Sequence, residues 1–205
     1  MDDHKHSREH DVTSLLRSLA RDASSAGWWY AWLEALVRGT PGEFGIALRS
    51  WVMGRRFAQR GDGLMIYTGV RIFGAQKLKV GRNCRISYDC IFQANGGIEM
   101  GDEVIFGPGV KVWSVNHVFE RTDVPIFDQG YDHKPVVIGN GVWFGANTFV
   151  MPGARIGDHV VVSAGSVVAG KDVEPYSILA GNPARKVGTR LDRGPRPDAG
   201  PAAEG

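Results

Sequence analysis

The chain has 205 residues, 43% of them hydrophobic and 22% charged, with a formal net charge of +2. This composition excludes wholesale disorder and fits one folded domain with an appendage. The near-balance of charge gives no reason to expect nucleic acid as a partner.

Residues 1–11, which open MDDHKHSREH, are polar and are expected to be a disordered N-terminus. They lack the apolar core of a signal peptide, so the expected location is the cytoplasm. Residues 12–62 are predicted to be helical. Leu15, Leu16 and Leu19 recur at helical spacing, as do Trp29, Trp32, Leu33, Leu36 and Val37. The longest apolar stretch, Trp28 to Val37, is too short to span a bilayer and contains Glu34. Arg49, Arg55, Arg56 and Arg60 follow it. Two readings of this segment stand. The helices cap the open end of the domain that follows, or residues 27–60 contact a membrane surface.

From 63 to 188 the chain becomes a series of short apolar units punctuated by glycine. There are 28 glycines in all, with no collagen-like triplet, which implies many tight corners. Residues 138–173 divide into sixes: IGNGVW, FGANTF, VMPGAR, IGDHVV, VSAGSV and VAGKDV. The first column is apolar throughout, the second is usually small, and the fifth is small or branched. The same register runs upstream from Val80, Ile86 and Phe92, and, after a slip of two residues, from Met100, Phe106 and Val112. Ile66 and Ile72 head an earlier pair. A period of six predicts a three-sided column in which each hexad is a short strand and a corner. Three hexads make a coil, and five to six coils stack as parallel strands. Cys84 and Cys90 fall in the inward fifth column and are expected to be small core fillers. The repeat is broken once, between VWSVNH (112–117) and Ile138, by a loop assigned to 118–136. Residues 189–205, rich in Pro and Gly, read as a disordered tail.

Periodicity alone leaves the hand of the coil open, and the general rule for parallel crossovers favours a right-handed one. The stretch VVIGNGVWFGANTFVMPGARIGDHVVVSAGSVVAGKDVEPYSILAGNPARKV, however, closely resembles the last coils of the hexapeptide-repeat O-acetyltransferases. That family includes the maltose, galactoside and nodulation-factor enzymes and those of O-antigen and exopolysaccharide synthesis. The resemblance implies a mainly β fold, a left-handed parallel β-helix. It also implies acetyl-CoA as cosubstrate, a saccharide or glycan acceptor, no metal, and a homotrimer with active sites between subunits.

In that family the catalytic residue is a histidine just before a protruding loop, often in the dipeptide NH. The resemblance gives this role to His117. A sugar hydroxyl is a poor nucleophile and must lose its proton as it attacks a thioester, a task suited to imidazole. Asn116 and Asn95 are carried over as acceptor-binding positions. Glu120, Asp123 and Asp128 are candidates to orient His117, and nothing in the sequence selects among them. Trp143, Gly145, Ala146, Ala164, Lys171 and Arg185 are carried over as the acetyl-CoA site, with oxyanion donors from the turn around Gly145 and Ala146. Where the family has TKD, this chain has AGKDV, one residue longer before Lys171. The inward cysteines favour direct transfer over an acetyl-cysteine intermediate. Two alternatives remain. One is a non-catalytic hexapeptide-repeat assembly protein. The other is a carbonic-anhydrase-like zinc enzyme using His117, His133 and His159, although the closely spaced histidine pair of that class is missing.

Overall fold

Each hexad places its first residue inward and then turns. The computed structural model, which describes residues 12–24 and 28–192 (side chains of 21–24 and 28 excepted), stacks these units into a three-faced parallel β-helix. The expected disordered stretch 1–11, and 193–205 of the expected tail, lie outside the described residues. The first face takes Gln59–Arg60, Leu78–Val80, Ile98–Met100, Val136–Ile138, Arg155–Ile156 and Asp172–Val173. The second runs from Met65–Ile66 through Trp143–Phe144 to Ser177–Gly181. The third comprises Arg71–Phe73, Ile91–Gln93, Lys111–Trp113, Phe149–Val150 and Val167–Val168.

Every hexad head named above is buried, from Ile66 to Val168. At this depth each such side chain contributes about 1.5–3 kcal/mol. Phe92, Phe106 and Phe144 form an internal aromatic pile, with ring centroids 5.0 Å apart at both contacts. Backbone bonds run from coil to coil: Arg85 N–H donates to Val104 O, Ile105 to Val142 and Trp143 to Val160, at 2.9, 2.9 and 3.0 Å.

Two of the three corners are tight and place one residue per coil in the left-handed region. At the corner between the first and second faces these are Gly63, Asn83, Glu103, Gly141, His159 and Tyr176. His159 therefore occupies a turn position and stacks on Tyr176 below it, with centroids 5.0 Å apart. The third corner, from the third face back to the first, is wider. Residues 74–77 and 94–97 span it in the first two coils, which explains the two-residue slip of the repeat.

Both ends of the column are covered. Above it sit α1 (Val12–Ser24), α2 (Trp28–Arg38) and α3 (Gly42–Gly54). Met53 and Phe57 join the core below α3. Arg49 of α3, grouped by sequence with the surface arginines, is instead 1% exposed. Its guanidinium donates to the carbonyls of Val37, Thr40 and Ile66, tying α2, α3 and the first coil together. At the other end the strand Ala184–Thr189 folds back antiparallel on Ser177–Gly181, and a turn Arg190–Asp192 follows. Regular structure thus runs to Asp192, past residue 189, where the disordered tail was expected to begin.

Candidate active site

The wide corner carries the one large excursion among the described residues. Ser114, fully buried, roots it. Its hydroxyl donates to Gln93 O at 2.6 Å and accepts the Gly96 N–H at 3.0 Å, while its own carbonyl accepts the Lys134 N–H at 2.9 Å. From this root Val115–His117 and Tyr131–His133 leave as an antiparallel stem, with His117 opposite Tyr131 and Asn116 opposite Asp132. The excursion is a hairpin arm that begins at 115, three residues before the expected loop 118–136. Val115–His117, read as the end of a hexad, belongs to the arm. Farther out, the Gln129 side chain donates to the carbonyls of Arg121 and Val124 at 2.7 and 2.8 Å, closing the arm upon itself.

His117 is exposed on this stem. Its ring lies against that of Tyr131, with centroids 4.6 Å apart, and its backbone N–H donates to Asn116 Oδ1 at 3.0 Å. Tyr131 is the neighbour that sequence reasoning missed, because only the hairpin register brings it there. Two of the three acidic candidates, Asp123 and Glu120, are engaged elsewhere, and Asp128 lies in the short turn Ile126–Asp128. Asp123 pairs with Arg121, whose guanidinium holds its carboxyl below the usual range. Glu120 accepts the Phe119 N–H at 3.0 Å. Asn95 sits half-buried at the same corner one coil earlier; its carbonyl accepts Lys77 Nζ at 2.9 Å and its neighbour Gly96 bonds to Ser114. The fold therefore gathers Asn95, Asn116 and His117 along one edge of the column.

The carried-over donor residues fall in two other places. Trp143 is half-exposed on the second face, and Ala146 and Ala164 stack in consecutive coils at the corner between the second and third faces. Backbone approaches closely there: a Cβ on Gly145 would lie 2.5 Å from Ala164 N. The Gly145 N–H donates to Val162 O at 2.7 Å, so it is committed to the ladder and cannot also serve an oxyanion. Among the described residues, the ladder leaves the Ala146 N–H out. Lys171 and Arg185 meet at the end of the column, lining a pocket of about 260 Å³ with Glu174, Lys186 and Ser177. Lys186 pairs with Glu174 at 2.7 Å and holds that carboxyl below its usual range. The Ser177 hydroxyl is buried and without a hydrogen-bond partner. The extra residue before Lys171 is absorbed in a turn closed by Lys171 N–H to Ala169 O at 2.8 Å.

Small side chains along the corner and two cations at the column end suit a long, flexible, anionic ligand. The base edge and the small-residue edge nevertheless stand on opposite sides of the third face, so a single chain does not unite them.

Both cysteines are buried, as their column predicts. Burial pushes each thiol up, Cys90 to about 11, so neither is a thiolate at neutral pH. His133 lies opposite Val115 in the arm, and His159 is at its separate corner. Among the described residues no three His, Cys, Asp or Glu side chains gather as metal ligands.

A family profile described as bacterial transferase hexapeptide (six repeats) matches residues 135–170. The chain is similar to the structure of a maltose O-acetyltransferase from Clostridium difficile 630, at 30% identity and TM-score 0.70, covering 78% of this chain and 84% of that one. A galactoside acetyltransferase in complex with coenzyme A matches at TM-score 0.71 and 24% identity, with 81% and 84% covered, a likeness of fold. A chloramphenicol acetyltransferase from Agrobacterium fabrum is 36% identical over 123 residues, 58% of this chain and 54% of the relative. The chain spans between about half and two thirds of the length of the curated relatives it matches first. With its hexads, its three-faced column and its arm at the wide corner, the chain belongs to the hexapeptide-repeat acetyltransferase family.

Proposed function

We propose that the chain is an acetyl-CoA-dependent O-acetyltransferase that passes its acetyl group directly to a hydroxyl of a saccharide acceptor, with His117 as general base. The observation that carries this reading is the place of His117. It stands exposed on the stem of a long excursion from a hexapeptide column, the only one among the described residues, along the same edge as Asn116 and Asn95. Acetyl-CoA supplies the acetyl group as a thioester. His117 takes the hydroxyl proton as the oxygen attacks and returns it to the leaving sulfur. Asn116 and Asn95 hold the acceptor. The Ala146 N–H faces the developing oxyanion, since that of Gly145 is engaged. Trp143 and Ala164 line the path of the pantetheine arm, and Lys171 and Arg185 meet the phosphates.

Because base and donor edges lie apart on one chain, the working unit is a homotrimer in which one copy supplies His117 and the next the donor edge. The outward residues of the three faces support this. The first face presents Lys79, Glu99, Arg155 and Asp172 with Val137, whereas the third presents Phe73, Ile91, Trp113, Phe149 and Val167 beside Arg71, Gln93 and Lys111. A sheet face with this run of outward aromatic and branched residues is suited to burial against a second copy. The reaction belongs to the cytoplasm, and its product to polysaccharide or glycan synthesis. A second reading of the acceptor, an antibiotic hydroxyl, is favoured by the 36% identity to a chloramphenicol acetyltransferase.

The test is CoA release from acetyl-CoA with a panel of mono- and oligosaccharides and chloramphenicol, wild type beside His117→Ala. Turnover with a sugar that falls by about 100-fold or more in the variant is the expected result. Turnover with chloramphenicol alone selects the second acceptor. Failure to bind acetyl-CoA at all supports the assembly-protein alternative, and equal turnover by both proteins removes His117 from the mechanism.

A further inference from the structure

The helices do more than close the column. α2 and α3 each use one apolar stripe for packing and leave another in solvent. In α2, Tyr30 and Val37 are buried, while Trp29, Trp32 and Leu36, spaced three and four apart, are 56, 61 and 77% exposed. In α3, Met53 joins the column core and Val52 packs with Tyr30 and Val37 of α2, while Phe44 and Trp51 are 71 and 54% exposed. α1 packs beside α2, yet its single apolar stripe, Val12, Leu15, Leu16 and Leu19, is exposed throughout. Three consecutive helices with unpartnered apolar stripes exceed what capping requires, because the cap is made by the opposite sides of α2 and α3.

The charge of the segment identifies what covers those stripes. Residues 12–60 hold seven arginines against three acidic residues, Asp22, Glu34 and Glu43, a net +4 in a chain whose total is +2. Glu34 is partly buried and opposite Arg38. Arg55 and Arg56 lie over the Trp51 and Tyr30 rings at 4.4 and 4.7 Å, which places cationic groups beside the tryptophans. Exposed tryptophan and leucine flanked by arginine, with little counter-charge, is the chemistry of a helix lying in an anionic lipid interface. No helix of the described residues is long and apolar enough to cross a membrane.

We infer that the N-terminal helices dock the protein on the surface of a bilayer containing anionic lipid. The apolar stripes of α1–α3 enter the headgroup region and the exposed arginines, Arg55, Arg56 and Arg60 among them, pair with lipid phosphate, Arg49 being buried. The surface lies at the end of the column away from the Lys171–Arg185 pocket, so docking leaves that end free. This inference does not rest on the proposed acetyl transfer.

The experiment is flotation of the full chain with vesicles of pure phosphatidylcholine and with vesicles carrying about three parts in ten phosphatidylglycerol. Binding to the anionic vesicles, weakened by about 0.5 M salt and accompanied by a blue shift of tryptophan emission, is expected. The double variant Trp32→Ser/Leu36→Ser, altered only at exposed positions, is expected to keep its circular dichroism and lose about tenfold or more in bound-to-free ratio. Absence of flotation by the folded wild type overturns the inference, as does equal flotation by the variant. Sedimentation showing that the double variant halves the particle mass also overturns it, by making a second copy the occupant of the stripes.

Discussion

Ser114 fixes the root of the arm, three residues before His117, and its replacement is informative on both stability and activity. Ser114→Ala removes the acceptor of the Gly96 N–H and a donor to Gln93 O at a corner with little access to water. An unmet polar group of this kind costs about 1–3 kcal/mol. Denaturant unfolding is expected to show that loss. Turnover is expected to fall while the Michaelis constant for acetyl-CoA holds, because the donor residues lie on another edge. Wild-type stability in the variant would show that water or a rearranged backbone replaces the hydroxyl, and the assignment of Ser114 would fail. The sequence shows Ser114 only as the third member of an ordinary hexad. Its role depends on partners 18 and 21 positions away, which no local pattern reveals. Cys84 and Cys90 were legible because their column is inward in every coil, so their burial follows from the repeat itself.

Among the elements, the docking of α2 and α3 turns on one buried arginine. A charge this deep is expensive, and burial pushes the Arg49 pKa down. It is tolerated because its donors meet carbonyls at the C-terminal end of α2, which lack partners within the helix and carry its negative dipole. Arg49→Met keeps the volume and removes the donors. The carbonyls of Thr40 and Ile66 then go unmet, while that of Val37 keeps only the Thr40 N–H at 3.2 Å, and the loss is expected to be about 3 kcal/mol. Limited proteolysis is the sharper measurement: cleavage should begin in 12–60 while the column stays intact. A variant that resists protease and melts like wild type would show that apolar packing alone holds the helices. Such an arginine in an amphipathic helix reads from sequence as solvent-facing, since its partners are backbone and have no signature of their own. The arm was half legible for a related reason. The break in the hexads announced an excursion, but Val115–His117 continues the extended run of the preceding strand. Only its pairing with Tyr131–His133 shows where the column ends and the arm begins.

At the scale of the molecule, the column sets the distance between the two halves of the candidate site, and this gives the trimer a test that activity of one variant cannot. The hexads showed which residues point inward, but outward columns and their neighbours across a subunit contact are silent in a single sequence. The third face separates the His117 edge from the Ala146–Ala164 edge, with the Trp113 and Phe149 rings 5.5 Å apart between them. If each site takes its base from one copy and its donor groove from the next, His117→Ala and Ala164→Trp disable different halves. Each homotrimer is expected to be inactive. Unfolding and refolding the two together in equal amounts scrambles the copies, and an interface regains both intact halves whenever an Ala164→Trp copy precedes a His117→Ala copy. With random assortment around a closed ring of head-to-tail contacts, that occurs at about one interface in four. Recovery of about a quarter of wild-type turnover per site is therefore expected, with sedimentation reporting a trimer throughout. A mixture as inactive as its parents would place both halves of each site on one chain, and the outward aromatic residues of the third face would then need a different explanation.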